Sequence, residues 1–254
     1  MLRSHRWRSA QNSAGFLLEH LAPGQDLLDV GCGPGTITGE LAELTAPGRT
    51  VGVDLSREVI GVAREQQAQK GTSNVVFEQG DVYALGFADA SFDVVYAHQV
   101  LQHLSDPVAA LLEMRRVLRP QGILAVRDGD YGAFVWAPDD PYLDRWMEIY
   151  QQITACNHAT ANAGRHLAAW VRSAGFNSLK VTSSTWTFHD RPQREWWGQL
   201  WADRVRESEF ARQGVEYGLT DPAELSRIAD AWRAWAQDDS GLFIAVHGEV
   251  IARP

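Results

Sequence analysis

The first half of the chain alternates short apolar runs with longer segments whose apolar residues recur at helical spacing. Five of the apolar runs predict strands, at 26–30, 49–55, 74–80, 92–97 and 122–128. Strands that alternate with helices in this way imply right-handed crossovers and a parallel sheet with helices on both faces. The sequence therefore predicts an α/β fold.

After residue 135 the pattern changes, and helical spacing dominates. Asp140-Pro141 predicts a helix start, because Asp caps a helix well and Pro suits its first turn. Two further strands are predicted at 178–188 and 242–252. Between them, residues from about 192 to 238 predict a long helical stretch. We expect this stretch to form a cap added to the sheet.

The segment "LLDVGCGPGTIT", residues 27–38, places glycines at 31, 33 and 35 directly after the first strand. Glycines at such a position allow a tight turn or the close approach of a ligand. A loop between a strand and a helix suits a nucleotide-like ligand at the carboxyl edge of an α/β sheet. The spacing is G-x-G-x-G, whereas a dinucleotide fingerprint has G-x-G-x-x-G. The spacing alone favours a different nucleotide-like ligand only weakly.

Two acidic residues add to this picture, because each follows one of the next two strands. Asp54 closes the second strand, where a carboxylate can accept both hydroxyls of a ribose. Asp81 follows the third strand, where a carboxylate can accept an exocyclic amine. An acid for a ribose and an acid for an adenine amine describe an adenosine that lies across the strand ends.

Together with neighbouring segments, the glycine loop and these acidic residues resemble the motifs of a known family. Four segments in order look like the successive motifs of class I S-adenosylmethionine-dependent methyltransferases, of the ubiquinone/menaquinone-type small-molecule branch: "LLDVGCGPGTIT", "VGVDLS", "GDVYALGFADASFDVVYAHQVLQHLSDP" and "LRPQGILAV". The resemblance covers roughly residues 25–128. It implies a Rossmann-like, mostly parallel sheet of seven strands whose last strand is antiparallel. The predicted cap would lie between strands six and seven.

The resemblance also implies roles for individual residues. The methionine part of S-adenosylmethionine would lie at Asp29, Gly31, Gly33 and Gly35. Its ribose and adenine would contact the pairs Asp54-Leu55 and Asp81-Val82. His98 matches the position after strand four that faces both cofactor and substrate. His98 is the candidate general base, although it could equally pack beside the cofactor.

The candidate substrate residues lie in a part of the chain that is rich in tryptophan. Nine of the ten tryptophans follow residue 130. We expect Tyr131 and Trp136, just beyond the fifth strand, to form the floor of an elongated apolar pocket. A wall opposite them would come from one helical face that carries Trp196, Trp197 and Trp201. Each tryptophan could instead serve only to hold the cap together.

The composition and charge of the chain limit the classes of partner and cofactor that we expect. A formal net charge of −9 and the absence of a long basic run argue against nucleic acid; the nearest basic group is Arg3, Arg6 and Arg8. No segment reads as a signal peptide or a membrane span, so we expect a cytoplasmic protein. The two cysteines form no disulfide framework, and no His, Cys or carboxylate set has metal-ligand spacing. We therefore expect no metal, with a small-molecule methyl acceptor as partner.

The chain is expected to form one methyltransferase domain over residues 1–254. Its predicted parts are an N-terminal helical segment (1–22), a cofactor-binding core (23–135), the completion of the sheet (136–191 and 242–254) and the cap (192–241). Cys32 is read as a packing residue and His103 as a structural residue. Two other functions stay open: a nicotinamide-dependent oxidoreductase, and a module that binds S-adenosylmethionine without catalysis.

Overall fold

A sheet of eight strands runs through the centre of the computed structural model, which describes residues 7–254. Its spatial order is β3-β2-β1-β4-β5-β8-β6, and β7 pairs along the other edge of β8. The strands are β1 (Leu27–Val30), β2 (Thr50–Asp54), β3 (Val75–Gln79), β4 (Phe92–His98), β5 (Leu118–Gly129), β6 (Val135–Ala137), β7 (Ser178–Phe188) and β8 (Leu242–Arg253). Every strand predicted from the sequence is present.

The strand directions confirm the Rossmann-like prediction. The neighbours β3, β2, β1, β4 and β5 are parallel, whereas β8 runs antiparallel to β5 and β7. The short strand β6 is additional to the seven that were expected. It forms because β8 continues past its pairing with β5, and its first residues, from Leu242 to Ile244, pair with β6.

Ten helices flank the sheet within residues 7–254. They are α1 (Ala10–Ser13), α2 (Gly15–Leu18), α3 (Thr36–Thr45), α4 (Arg57–Lys70), α5 (Pro107–Val117), α6 (Pro141–Cys156), α7 (Ala163–Ser173), α8 (Arg191–Glu207), α9 (Glu209–Glu216) and α10 (Pro222–Gln237). Each of α5, α6 and α10 begins at an Asp N-cap followed by Pro, as the sequence predicts. The helical stretch after residue 191 is broken at Ser208, which ends α8 and caps α9.

The cap, α8 to α10, packs on α6 and β8 around an aromatic core. The indole of Trp146 lies 4.5 Å from the ring of Trp201 and 5.0 Å from that of Trp232, both edge to face. Phe243 of β8 is fully buried among them. Aromatic rings dominate core energetics because each removes a large apolar area from water. The cap is therefore fixed to the sheet by apolar packing.

None of the helices in residues 7–254 combines the length and the apolar character that a membrane crossing requires.

Candidate functional site

The glycine loop between β1 and α3 turns through the left-handed region. Gly31, Gly33 and Gly35 have φ angles of +74°, +56° and +79°. A β-carbon on Gly31 would lie 2.3 Å from a methyl of Val100, and one on Gly35 would lie 2.5 Å from the ring of Phe77. Real side chains cannot approach so closely, and L-residues rarely adopt such φ angles. Glycine is therefore required at these two positions, where the loop packs closely against Val100 and Phe77 at the N-terminus of α3.

Asp29 lies at the inner end of this loop and is buried. Its carboxylate accepts a hydrogen bond from the Thr38 hydroxyl at 2.6 Å. Burial raises the pKa of Asp29 to about 7. Burial also raises the pKa of the neighbouring Cys32 thiol, and the carboxylates of Asp29 and Asp54 raise it further. The thiol therefore stays protonated at neutral pH, which fits a packing residue and not a nucleophile.

Asp54 is hydrogen-bonded both to the glycine loop and to the N-cap residue of α4. One carboxylate oxygen accepts from the backbone N–H of Gly33 at 3.1 Å, and the other from the N–H of Ser56 at 2.9 Å. A carboxylate offers about four lone pairs, so about two remain for a ligand. The adjacent Leu55 is 70% exposed, so its side chain is accessible to a ligand on this edge of the sheet.

Asp81 and Val82 follow β3 on the same edge of the sheet. Asp54 pairs in register with Gln79, so Asp81 comes two residues after the partner of Asp54. A carboxylate oxygen of Asp81 accepts a hydrogen bond from the backbone N–H of Tyr83 at 2.9 Å, and Asp81 is exposed to solvent. Val82 is partly buried against the core. The structure thus brings the predicted cofactor residues to one edge of three adjacent strands.

His98 ends β4 and begins a row of buried polar side chains on one face of the sheet. Its Nε2 lies 2.7 Å from Nη1 of Arg127, and Nε of Arg127 donates to Glu249 at 3.2 Å. Glu249 also accepts from the hydroxyls of Thr182 and Ser184. Strand register explains the row, because His98 pairs with Arg127 and Arg127 with Glu249.

The Arg127 contact fixes the protonation of the histidine. A guanidinium can only donate hydrogen bonds, so Nε2 of His98 accepts and a neutral ring carries its proton on Nδ1. His98 could take a proton on Nε2 only after this bond breaks. The geometry favours the packing role of His98 over the general-base role.

An aromatic cleft lies beside the glycine loop, under the cap. The cavity within it measures about 20 Å³. Its lining comes from the N-terminal segment, the ends of β4, β5, β7 and β8, and helix α8: Trp7, Arg8, Gln99, Tyr131, Phe134, Trp186, Trp196, Trp197, Trp201, Arg204, Ala245 and His247. Arg8 also lines the pocket at the glycine loop, together with Asp29 and His98. Arg8 therefore lies between the two cavities and lines both.

Most of the predicted substrate residues line this cleft, but Trp136 does not. Its ring packs against Trp146 and Phe243 in the aromatic core, with centroids 6.2 Å away in both cases. Trp136 belongs to β6, whose pairing with β8 turns the residue toward that core. Tyr131 does line the cleft, stacked 4.2 Å from Tyr150.

The sequence analysis missed four polar residues of the cleft: Arg8, Gln99, Arg204 and His247. Gln99 is a non-glycine residue with a φ of +54°. It accepts from Arg8, and its amide donates to Nε2 of His247 at 3.0 Å, since Nδ1 of His247 faces the Ala245 carbonyl. Strained backbone of this kind is concentrated at functional sites. Its position directly after His98 in the third motif was the available signal.

Metal ligands were not expected, and the described residues offer no group of three or more His, Cys, Asp or Glu placed to hold an ion.

A glycine loop after β1 and acids after β2 and β3 define a class of α/β proteins that bind a nucleotide-like cofactor. Comparison with known proteins makes the class specific. A family model described as a methyltransferase domain matches residues 21–187. An uncharacterised methyltransferase of Schizosaccharomyces pombe is 32% identical over 98% of this chain and 91% of its own length. An O-methyltransferase of Penicillium expansum is 35% identical over 63% of this chain and 55% of its own.

The fold has solved counterparts as well. The crystal structure of the YcgJ protein of Bacillus subtilis superimposes with a TM-score of 0.62 at 20% identity, covering 94% of this chain and 96% of that one. The chain belongs to the class I S-adenosylmethionine-dependent methyltransferases. Membership in this family argues against the two alternatives, a nicotinamide-dependent oxidoreductase and a module that binds the cofactor without catalysis. The matches do not single out the ubiquinone/menaquinone-type branch.

Proposed function

We propose that the protein transfers the methyl group of S-adenosylmethionine to an oxygen atom of a small, planar aromatic acceptor. One observation carries the proposal: the cleft walled by Tyr131, Trp197 and Trp201 lies next to the pocket of the glycine loop, and Arg8 lines both. An acceptor that widened this narrow cleft and stacked in it would lie beside the methionine end of the cofactor. The name of the Penicillium expansum relative supports oxygen as the methylated atom.

The residues present fit the cofactor. The pocket that Gly31, Cys32 and Pro34 of the glycine loop line would receive the methionine part. The two remaining lone pairs of Asp54 would accept the ribose hydroxyls, and Asp81 would accept the adenine amine. Leu55 would cover one face of the adenine. S-adenosylmethionine supplies an electrophilic methyl group on a positively charged sulfur.

The chain's own contribution is to orient the acceptor and exclude water. Methyl transfer needs in-line approach of the acceptor at near-attack distance in a dry site. Trp7 closes one side of the cleft, with its ring 5.0 Å from that of Trp186 and 5.5 Å from that of Trp196. Trp186 is held in turn by a 2.7 Å hydrogen bond to the Asn12 carbonyl. The N-terminal segment and the cap thus close the site together.

We expect His98→Ala to weaken cofactor binding while the rate at saturating cofactor falls less than roughly 10-fold. The reason is that Nε2 is already engaged by Arg127, so the ring positions its neighbours and does not remove a proton. Calorimetry with S-adenosylhomocysteine and steady-state kinetics measure the two quantities separately. A general base would give a different result, a loss of roughly 10²-fold or more in turnover with unchanged affinity.

The proposal is tested by methyl transfer from labelled S-adenosylmethionine to matched sets of quinols, phenols, amines and sterol-like compounds. We expect label in the phenols and quinols and none in the amines. Transfer to the amines alone, or only to protein or nucleic acid in a cell extract, would contradict it.

We further propose that the chain folds as one domain, because β8 (Leu242–Arg253) lies in the sheet between β5 and β7.

A further inference from the structure

The cavity at the glycine loop and the cavity under the cap are both too small for their proposed ligands. Each measures about 20 Å³, which is room for about one water molecule. S-adenosylmethionine and an aromatic acceptor therefore enter only after part of the lining moves. Arg8 lines both cavities, so a displacement of the segment that carries it would open both.

Helices α1 and α2, which follow this segment directly, are held firmly to the sheet. Leu17 is fully buried in an apolar cluster with β1 and β4. The Tyr96 hydroxyl donates to the Ser13 carbonyl at 2.9 Å. Ser9 is the N-cap of α1 and has extended backbone. A displacement that leaves these helices in place can therefore begin only at Ser9, and we call residues 7–9 the N-terminal strap.

The N-terminal strap is attached to the cap and the sheet through side chains. The ring of Trp7 lies against those of Trp186 and Trp196, and the Arg8 guanidinium lies 5.7 Å from the Trp186 ring. The Trp7 carbonyl accepts a hydrogen bond locally, from the Asn12 side chain of α1 at 2.9 Å. Contacts of this kind can separate and re-form without breaking the backbone pairing of a strand.

Gln99 joins the N-terminal strap to β8. Its amide oxygen accepts from Arg8, so its amide nitrogen is the atom that donates to Nε2 of His247 at 3.0 Å. The ring of His247 is oriented in turn, because its Nδ1 donates to the Ala245 carbonyl at 3.1 Å. Hydrogen bonds that run in one direction strengthen one another. Both polar atoms of one side chain are thus used to hold the strap.

The backbone of Gln99 is fixed independently of the strap. Its N–H donates to the Arg127 carbonyl of β5 at 2.7 Å. Its φ of +54° lies in the left-handed region that side chains rarely adopt. A non-glycine residue keeps such a conformation only where the surrounding structure holds it, and such positions are concentrated at functional sites. A bridge between the strap and β8 accounts for it here.

We propose that Gln99 is a positioning residue that latches the N-terminal strap over the two cavities, and that release of this latch admits both the cofactor and the methyl acceptor. The inference rests on the proposed function and adds the step that gives access to its site. When the strap is closed, Trp7 and Arg8 keep water from the sulfonium. Lid opening of this kind sets the rate of ligand exchange in many enzymes.

The test measures how fast S-adenosylhomocysteine enters and leaves the full chain, by stopped-flow tryptophan fluorescence. Gln99→Met removes both side-chain hydrogen bonds and keeps a side chain of similar length. We expect the association and dissociation rate constants both to rise roughly 10-fold, the lower end of the range for one hydrogen bond to a charged group, while the affinity changes less than about 3-fold. A residue that only supports the bound ligand would raise the dissociation rate constant alone.

A double-mutant cycle identifies the latch itself. Arg8→Met should also raise both rate constants, and adding it to Gln99→Met should change them little further, because each substitution removes the same contact. Gln11→Met is the matched control, since Gln11 is exposed on α1 and lines neither cavity, and it should leave both rate constants unchanged.

Three results would overturn the proposal: unchanged rate constants in Gln99→Met, a rise in the dissociation rate constant alone, or effects of the Arg8 and Gln99 substitutions that simply add. Failure of the unsubstituted protein to bind S-adenosylhomocysteine would instead overturn the proposed function.

Discussion

Replacing Arg127 by methionine is expected to lower the free energy of unfolding by about 3 to 5 kcal/mol, the range for removing one partner of a buried ion pair. Arg127 is 1% exposed and Glu249 is 5% exposed, so the variant would leave a carboxylate uncompensated inside the sheet. It would also remove the guanidinium that lies 4.8 Å above the ring of Trp186. Urea-induced unfolding at neutral pH measures the loss.

Two variants make this result specific. Arg233→Met removes an exposed arginine paired with Asp230 on α10, and should cost less than about 1 kcal/mol. Arg127→Met combined with Glu249→Leu removes both buried charges and should recover most of the stability. A loss of under about 1 kcal/mol in Arg127→Met would show that the row of polar side chains is not held by this pair.

The second large effect is expected at Asp54. Asp54→Ala should weaken the binding of S-adenosylmethionine and S-adenosylhomocysteine by about 1 to 3 kcal/mol, the range for polar groups left without a charged partner. The carboxylate would be lost both to the ribose hydroxyls and to the Gly33 N–H. Calorimetry with each ligand gives the affinity, and NAD is expected not to bind the unsubstituted protein.

The control for this experiment is Asp230→Ala, an exposed acid on α10 far along the chain from the glycine loop. It should leave cofactor affinity unchanged. Asp54→Asn should give an intermediate loss, because its amide oxygen can still accept one of the two backbone N–H groups. Unchanged affinity in Asp54→Ala, or tight binding of NAD, would show that the ligand does not lie on the end of β2.

Most of the sheet could be predicted, because seven of its eight strands are local sequence patterns. Apolar runs bounded by glycine or by acidic residues indicate buried strands without knowledge of the partner strand. The helix starts at Asp106, Asp140 and Asp221 are local as well, since a capping side chain bonds to backbone within three residues. The short strand β6 was missed because three residues carry no periodicity, and it exists only through the length of β8.

The grouping of the predicted cofactor residues at one edge of the sheet could be expected from the sequence, because the family motifs follow one another along the chain. The row that joins His98, Arg127 and Glu249 could not, because it depends on the register between β4, β5 and β8. Register is a property of the folded sheet. The contact between Arg8 and Gln99 spans 91 positions of sequence and carries no local signal either.

Trp136 and Tyr131 show the same limit within a few residues. Both follow the fifth strand, and both were expected at the floor of the pocket. Tyr131 lies in a short turn at the end of β5 and faces the cleft, whereas the pairing of β6 places Trp136 in the core. The direction of a side chain beyond a strand end is set by the turn that follows, which hydrophobic spacing does not encode.

We expect the cofactor and the acceptor to meet beside Arg8, which lies between the glycine loop and the aromatic cleft. A crystal structure of the protein with S-adenosylhomocysteine tests it most directly. We expect the ribose hydroxyls to bind Asp54 and the adenine to lie over Leu55. The sulfur should face the cleft between Arg8 and Trp186. A sulfur that faces open solvent, with the cleft closed off from it by the cap, would contradict the account.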